Sequence, residues 1–182
     1  MGVNVSKPKA NRHFPGLPPN PLFLKDEELI EGLELLEFAL QRLLADQASI
    51  LRELDLGRSH QRLLHFIGRQ PGITMAELLQ IVPLTKQSQS RLLKELAAKG
   101  LISQTQDEGD RRQRLLALTD KGRKIDEQLN DVLRRRLALA YRQAGAEAVA
   151  GYHQVLEGLI DEPAKRHLRR AKSGAARQGR PA

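Results

Sequence analysis

No cysteine occurs anywhere in the 182-residue chain, which excludes disulfides, thiolate metal sites and thiol-based redox sensing, and fits a reducing compartment. Tryptophan is also missing and aromatic residues make up only 3%, so Leu, Ala and Ile must supply the packing. That composition suits helix-on-helix layers better than a β-sandwich. No apolar run approaches the roughly 20 residues needed to cross a bilayer, and no hydrophobic signal core follows the few lysines near the N-terminus. A cytoplasmic chain without a membrane partner is expected. No Ser-His-Asp set, glycine-rich phosphate loop or pair of carboxylates stands out, which argues against an enzyme. The histidines are His13, His60, His65, His153 and His167. His60 and His65 are five apart and do not align on a helix face, so neither a metal nor another cofactor is expected.

Acid is missing from both ends. Residues 1–25 carry four Lys/Arg and residues 163–182 carry seven, with no Asp or Glu in either stretch. All 22 acids therefore lie in 26–162 against 19 Lys/Arg, so the central body carries −3 although the whole chain carries +8. Within that body, 85–123 holds nine Lys/Arg and five acids. A polyanion-binding surface belongs in this segment.

Five of the nine prolines fall in residues 1–25, which makes that stretch an extended arm. From Asp26, a candidate N-cap, Leu29, Leu33, Leu36, Leu40, Leu43, Leu44 and Leu51 recur at three- and four-residue steps, predicting a long amphipathic helix to about Leu54. So many leucines suit a partner-chain interface at least as well as a core. Ser59 is placed to cap a second helix ending near Gly68. Pro71-Gly72 predicts a turn, and Thr74 with Glu77 forms a capping-box pattern opening a short helix that Pro83 ends. Thr85 caps the next helix, which stops at Gly100. Leu101–Gln106 and Gln113–Leu118 predict a two-stranded hairpin across the turn 107–112. Thr119 caps a second long helix to about Gln143, and Ala144–Ile160 predicts the last one. Arg134, Arg135 and Arg136 splay round their helix as a solvated face. The Gly-, Ala- and Arg-rich stretch 163–182 has no apolar period and is expected to be a disordered basic tail.

Two short helices followed by a hairpin make a winged helix-turn-helix. In its second short helix Leu84, Leu92, Leu93 and Leu96 can pack inward, leaving Lys86, Gln87, Ser90, Arg91 and Lys94 outward. Arg and Gln match guanine and adenine edges, while Ser, Thr and Lys hold phosphates. The cluster Thr85, Gln87, Ser88, Gln89, Ser90 spends most of a surface turn on hydrogen-bonding groups rather than on strong helix formers. Gln89 either packs poorly at the helix edge or reaches DNA.

The stretch PLTKQSQSRLLKELAAKGLISQTQDEGDRRQRLLALTDKG resembles the winged helix-turn-helix of the MarR (multiple antibiotic resistance regulator) family, over roughly 57–125. The specific parts are the recognition-helix ending Leu96-Ala-Ala-Lys-Gly-Leu101, and a wing signature in which Asp110 and Arg112 precede Leu116, Leu118, Thr119 and Gly122. Where the family usually has an aliphatic residue, this chain has Gln89. The resemblance implies that Arg112 enters a minor groove, fixed by Asp110, with Arg111 on phosphate. It also implies a mainly α (α+β) fold: a winged helix-turn-helix lobe, 57–122, and a helical dimerisation lobe, 26–56 and 123–162. The expected function is transcription regulation on double-stranded DNA, by a homodimeric repressor on a palindromic operator with a small-molecule effector of unknown identity. The alternatives are a nonspecific architectural DNA binder relying on its basic tails, and a protein-interaction module that no longer touches DNA.

Overall fold

In a computed structural model of the protein, the described residues are 25–107, 109–110 and 113–178, the last seven by their backbone alone. The extended arm expected at 1–25 lies outside them except for Lys25. The chain divides into two compact units, Met1–Leu44 and Ala45–Ala182. Helix α1, Asp26–Glu53, runs across that boundary. In the first unit its leucines face water: Leu29, Leu33, Leu36 and Leu40 are all exposed.

The second unit has a single hydrophobic core. It is assembled from α2 (Arg58–Arg69), β1 (Ile73–Thr74), α3 (Met75–Ile81), α4 (Lys86–Ala98), β2 (Ile102–Gln106), β3 (Arg114–Leu118) and α5 (Asp120–Ala144), followed by α6 (Ala146–Leu159) and α7 (Glu162–Gln178). Leu63, Leu64 and Ile67 of α2 meet Leu78 of α3, Leu93 and Leu96 of α4, Leu116 of β3 and Leu129 of α5, all essentially without solvent contact. Removing each such side chain from water stabilises the fold by about 1.5–3 kcal/mol. The C-terminal end of α1 joins this core through Leu51, and through the buried amide of Gln47, which donates to the Leu129 carbonyl at 2.9 Å.

Local caps set most boundaries. Thr74 accepts from the Glu77 amide at 3.2 Å while the Glu77 carboxylate accepts from the Thr74 amide at 3.0 Å, the reciprocal pair expected. Thr85 and Thr119 likewise accept from Ser88 and Gly122. The second helix starts differently from expectation: Gly57, not Ser59, is its N-cap, and the imidazole Nδ1 of His60 accepts from the Gly57 amide at 3.0 Å. A ring nitrogen three residues on does for this end what the Glu77 carboxylate does for α3, accepting from the N-cap amide.

Two further differences are tertiary in origin. The sheet has three strands in the order β1-β3-β2, not two. The extra strand is only Ile73–Thr74, paired antiparallel with Leu115 and Leu116, and two residues carry no readable alternation. The second difference lies at 163–182. Backbone through Gln178 is helical, while residues 179–182 lie outside the described set. Asp161 caps this helix by accepting from the Ala164 amide at 3.0 Å, and Pro163 sits in the first turn, where its missing N–H is harmless. His167 and Ala171 are buried. The imidazole of His167 stands edge-on to the Phe66 ring at 5.0 Å. A histidine and an alanine four apart are a weak hydrophobic stripe in sequence, yet they suffice when an aromatic ring awaits them.

The close of the wing depends on one glycine. Thr119 donates its hydroxyl to the Gly100 carbonyl at 2.7 Å and its amide to the Leu101 carbonyl at 3.1 Å, drawing the start of α5 onto the end of α4. A Cβ at Gly122 would stand 1.9 Å from the Leu101 oxygen. Only hydrogen fits there.

Candidate nucleic-acid interface

Helix α4 separates its residues by face. Leu92, Leu93 and Leu96 are buried, Leu84 packs half-buried against the same core, and Lys86, Gln87, Ser90, Arg91 and Lys94 line one shallow surface groove. The structure thus brings together five of the seven expected recognition-helix residues. The other two, Thr85 and Ser88, are occupied with each other: the Thr85 oxygen accepts from the Ser88 amide and its hydroxyl donates to the Ser88 hydroxyl at 3.0 Å. They build the helix start from which the groove begins.

Gln89 takes the first of the two alternatives and goes further. It is fully buried, pointing into the core, and neither its amide nitrogen nor its amide oxygen has a partner among the described residues. It faces away from the groove lined by Lys86, Gln87, Ser90, Arg91 and Lys94. Its position in the leucine face explains the location, since residues 89, 92, 93 and 96 share one side of a helix.

The outward face is anchored from behind by a relay that spacing did not reveal. Arg91 Nη1 meets Glu95 Oε1 at 2.7 Å, and Glu95 Oε2 meets His60 Nε2 at 2.8 Å. Because His60 Nδ1 accepts from the Gly57 amide, a neutral His60 carries its proton on Nε2 and donates it to Glu95. The hydrogen bond from His60, followed by the charge of Arg91, holds the Glu95 carboxyl below its ordinary range. The chain Gly57–His60–Glu95–Arg91 ties the first turn of α2 to the groove on α4. Arg91 and Glu95 are a readable i,i+4 pair. The 35-residue step from Glu95 to His60 is not readable.

In the wing, β2 and β3 pair from Ile102↔Leu118 out to Gln106↔Arg114. Asp110 is held at the turn: its backbone carbonyl accepts from the Gln113 amide at 2.8 Å and its carboxylate from the Gln113 side chain at 3.1 Å. The tip residues expected to meet DNA, Arg111 and Arg112, lie outside the described residues, and with them the expected pairing of Asp110 to Arg112.

Behind the helix-turn-helix, α2 and α5 enclose polar groups. His65 Nδ1 and Asp126 Oδ1 are buried with no partner among the described residues. Burial pushes the His65 imidazole down from its ordinary value against the pull of Asp126, and pushes the Asp126 carboxyl up. Among the described residues no cluster of three or more His, Asp or Glu is arranged to hold a metal ion, and no helix is long and apolar enough to cross a membrane.

Comparison with known proteins agrees with this geometry. The model of the MarR family matches residues 54–113, from the end of α1 through α4 into the wing. The chain is 42% identical over 151 residues to the HTH-type transcriptional regulator PetP of Rhodobacter capsulatus, an alignment spanning 83% of this chain and 91% of that protein. Among solved structures it resembles MarR, with 26% identity, 77% of this chain and 98% of the other covered, and a TM-score of 0.55. It has the same fold as a MarR variant from E. coli crystallised with operator DNA, at 24% identity, with 78% and 100% of the two chains covered and a TM-score of 0.56.

Proposed function

The chain belongs to the MarR family of DNA-binding transcriptional regulators, which are not enzymes, and on that footing we propose that it is a homodimeric repressor of a palindromic operator, released by a small ligand. The observation that carries the reading is the groove on α4, where Lys86, Gln87, Ser90, Arg91 and Lys94 form one continuous polar strip opposite the buried face of Gln89, Leu92, Leu93 and Leu96. In the major groove Arg91 and Gln87 read base edges, while Lys86, Lys94 and the Ser88 hydroxyl, held in place by Thr85, meet phosphates. The wing reaches the flanking minor groove with Arg112, Asp110 orients it, and Arg111 meets phosphate.

Dimerisation is supported by apolar surface with no function in a single chain. Leu33, Leu35 and Phe38 in the first unit are more than 60% exposed, as are Val155 and Leu159 of α6 in the second. Water-facing groups of this size mark an interaction surface. Two-fold symmetry then sets the recognition helices about one DNA turn apart, ~34 Å, on an inverted repeat.

Selecting bound fragments from the organism's own DNA tests the reading directly, and the enriched fragments should share an inverted repeat. On such a fragment Arg91→Ala and Arg112→Ala are each expected to weaken binding by about 1–3 kcal/mol, with relaxed discrimination at the contacted positions. Lys94→Ala should weaken all sequences alike and flatten the salt dependence. Unchanged affinity in both arginine variants would instead favour a winged helix that serves protein contacts.

A further inference from the structure

Helix α7 does more than cover the core: with the first helix of the helix-turn-helix it walls a half-open cavity, with Arg166 and Arg170 exposed at its mouth. The space between α3 and α7 has a volume of about 240 Å³, room for roughly eight water molecules or a small organic molecule. Its walls divide by chemistry. Ile73, Ile81 and Pro163 form an apolar side, and Arg166, His167 and Arg170 enter from α7. Among the described residues Glu77 is the only carboxylate on the lining, and it is already engaged. Its Oε2 accepts from the Thr74 amide, while its Oε1 meets Arg170 Nη1 at 2.5 Å.

Two cationic groups therefore stand at the cavity with unused hydrogen-bonding capacity. Arg166 has no hydrogen-bond or ion-pair partner among the described residues, and Arg170 uses one of its five N–H donors on Glu77. A third polar group stands there as well: His167 lines the cavity, is only 6% exposed, and its Nδ1 has no partner among the described residues. Buried polar atoms without partners are rare in stable folds, and this one, unlike the Gln89 amide in the core, lies on the wall of a cavity.

We propose that this cavity binds a small organic anion, its carboxylate held between Arg166 and Arg170 and its hydrocarbon part lying against Ile73, Ile81 and Pro163. A guanidinium pair suits a carboxylate because the planar fork of N–H donors matches its two oxygens. The Glu77 side chain on Arg170 shows that this arginine accepts a carboxylate in the required position. Bound there, the anion would join α7 to α3 beside Glu77, whose carboxylate completes the capping box of α3, and so reach the helix-turn-helix without touching the groove on α4. The inference rests on the proposed ligand response only for what binding does to DNA affinity, and not for binding itself.

The test uses the full chain with 13C-labelled isoleucine δ1 methyl groups and no DNA, titrated with butyrate and with succinate, and with butyramide as the uncharged counterpart of butyrate. The Ile73 and Ile81 methyl signals should move saturably at millimolar anion and stay still with butyramide. Arg166→Gln breaks no contact among the described residues, so it should leave the spectrum folded and weaken the anion by about tenfold or more. Motionless Ile73 and Ile81 signals, an equal response to butyramide, or an Arg166→Gln titration that matches the parent would each overturn the site. Because no DNA is present, failure here leaves operator recognition standing. Failure of operator binding, in turn, would not alter the methyl titration.

Discussion

In α4 the leucines Leu92, Leu93 and Leu96 are at most 5% exposed, whereas in the first unit Leu29, Leu33, Leu35 and Leu36 are between 40% and 68% exposed. Both stretches read as amphipathic helices with leucine at helical spacing. The difference lies in what each apolar face meets. Helix α4 lies against α2 and the sheet of its own chain, which consume its leucines and leave a polar strip free for another molecule. The start of α1 presents leucines on a helix for which the described residues of its own unit supply nothing to bury them. Periodicity states that a face must be covered. It does not state by which chain.

The largest effect should come from attacking the uncovered helix. Leu33→Glu with Leu36→Glu would put four carboxylates into the proposed two-fold interface and remove four leucines, about 6 kcal/mol or more at roughly 1.5–3 kcal/mol each. Sedimentation should then show a monomer at micromolar concentration. A dimer that persists would break the comparison, since the exposed leucines would have no structural task.

On the other side of the comparison, Gly122→Ala should destabilise the covered lobe by about 3 kcal/mol, read from the denaturant midpoint at unchanged slope. The new methyl meets backbone at Leu101, which cannot move aside as a side-chain tip would. A smaller effect of opposite sign is expected at Gln89. Its amide is buried unpaired, so Gln89→Leu should raise stability by about 1 kcal/mol while leaving DNA affinity unchanged. Weakened DNA binding in that variant would mean that Gln89 swings outward, and the clean division of α4 into two faces would fall.

The smallest effect is a pH dependence confined to the covered lobe. Burial holds the His65 and His167 imidazoles below their ordinary value of 6.5. Between that value and the lowered one, the unfolded chain binds more protons than the folded one, so stability is full above pH 6.5 and falls on acidification. Asp126, pushed above its ordinary 3.8, acts in the opposite direction at the acid end, since the folded chain there takes up the extra proton. Thermal melts of the parent should drop between pH 7.5 and 5.5. His65→Gln with His167→Gln should flatten that drop, and an equal drop in the double variant would refute the assignment.

Much of this protein is legible without coordinates because the signals are local. The caps at Thr74, Thr85 and Thr119, the stop at Gly100 and the leucine stripe of α4 each act within four residues, the distance over which helix chemistry operates. The strip Lys86, Gln87, Ser90, Arg91, Lys94 follows from that stripe by elimination. Four features are not local. The pairing of Ile73 with Leu116, the step from Glu95 to His60, the burial of the Gln89 amide and the seating of His167 on Phe66 each join residues that are remote in sequence or set by packing. Each gains its free energy only once the core has brought the partners together, and no short window of residues contains that information. The sequence by itself therefore determined helices α1 to α6, the hairpin of the wing and the face of α4 that looks outward. The tertiary structure alone decided that the basic C-terminal stretch is a helix docked on the helix-turn-helix, because a weak stripe of His167 and Ala171 becomes a contact only where Phe66 and α3 stand ready to receive it.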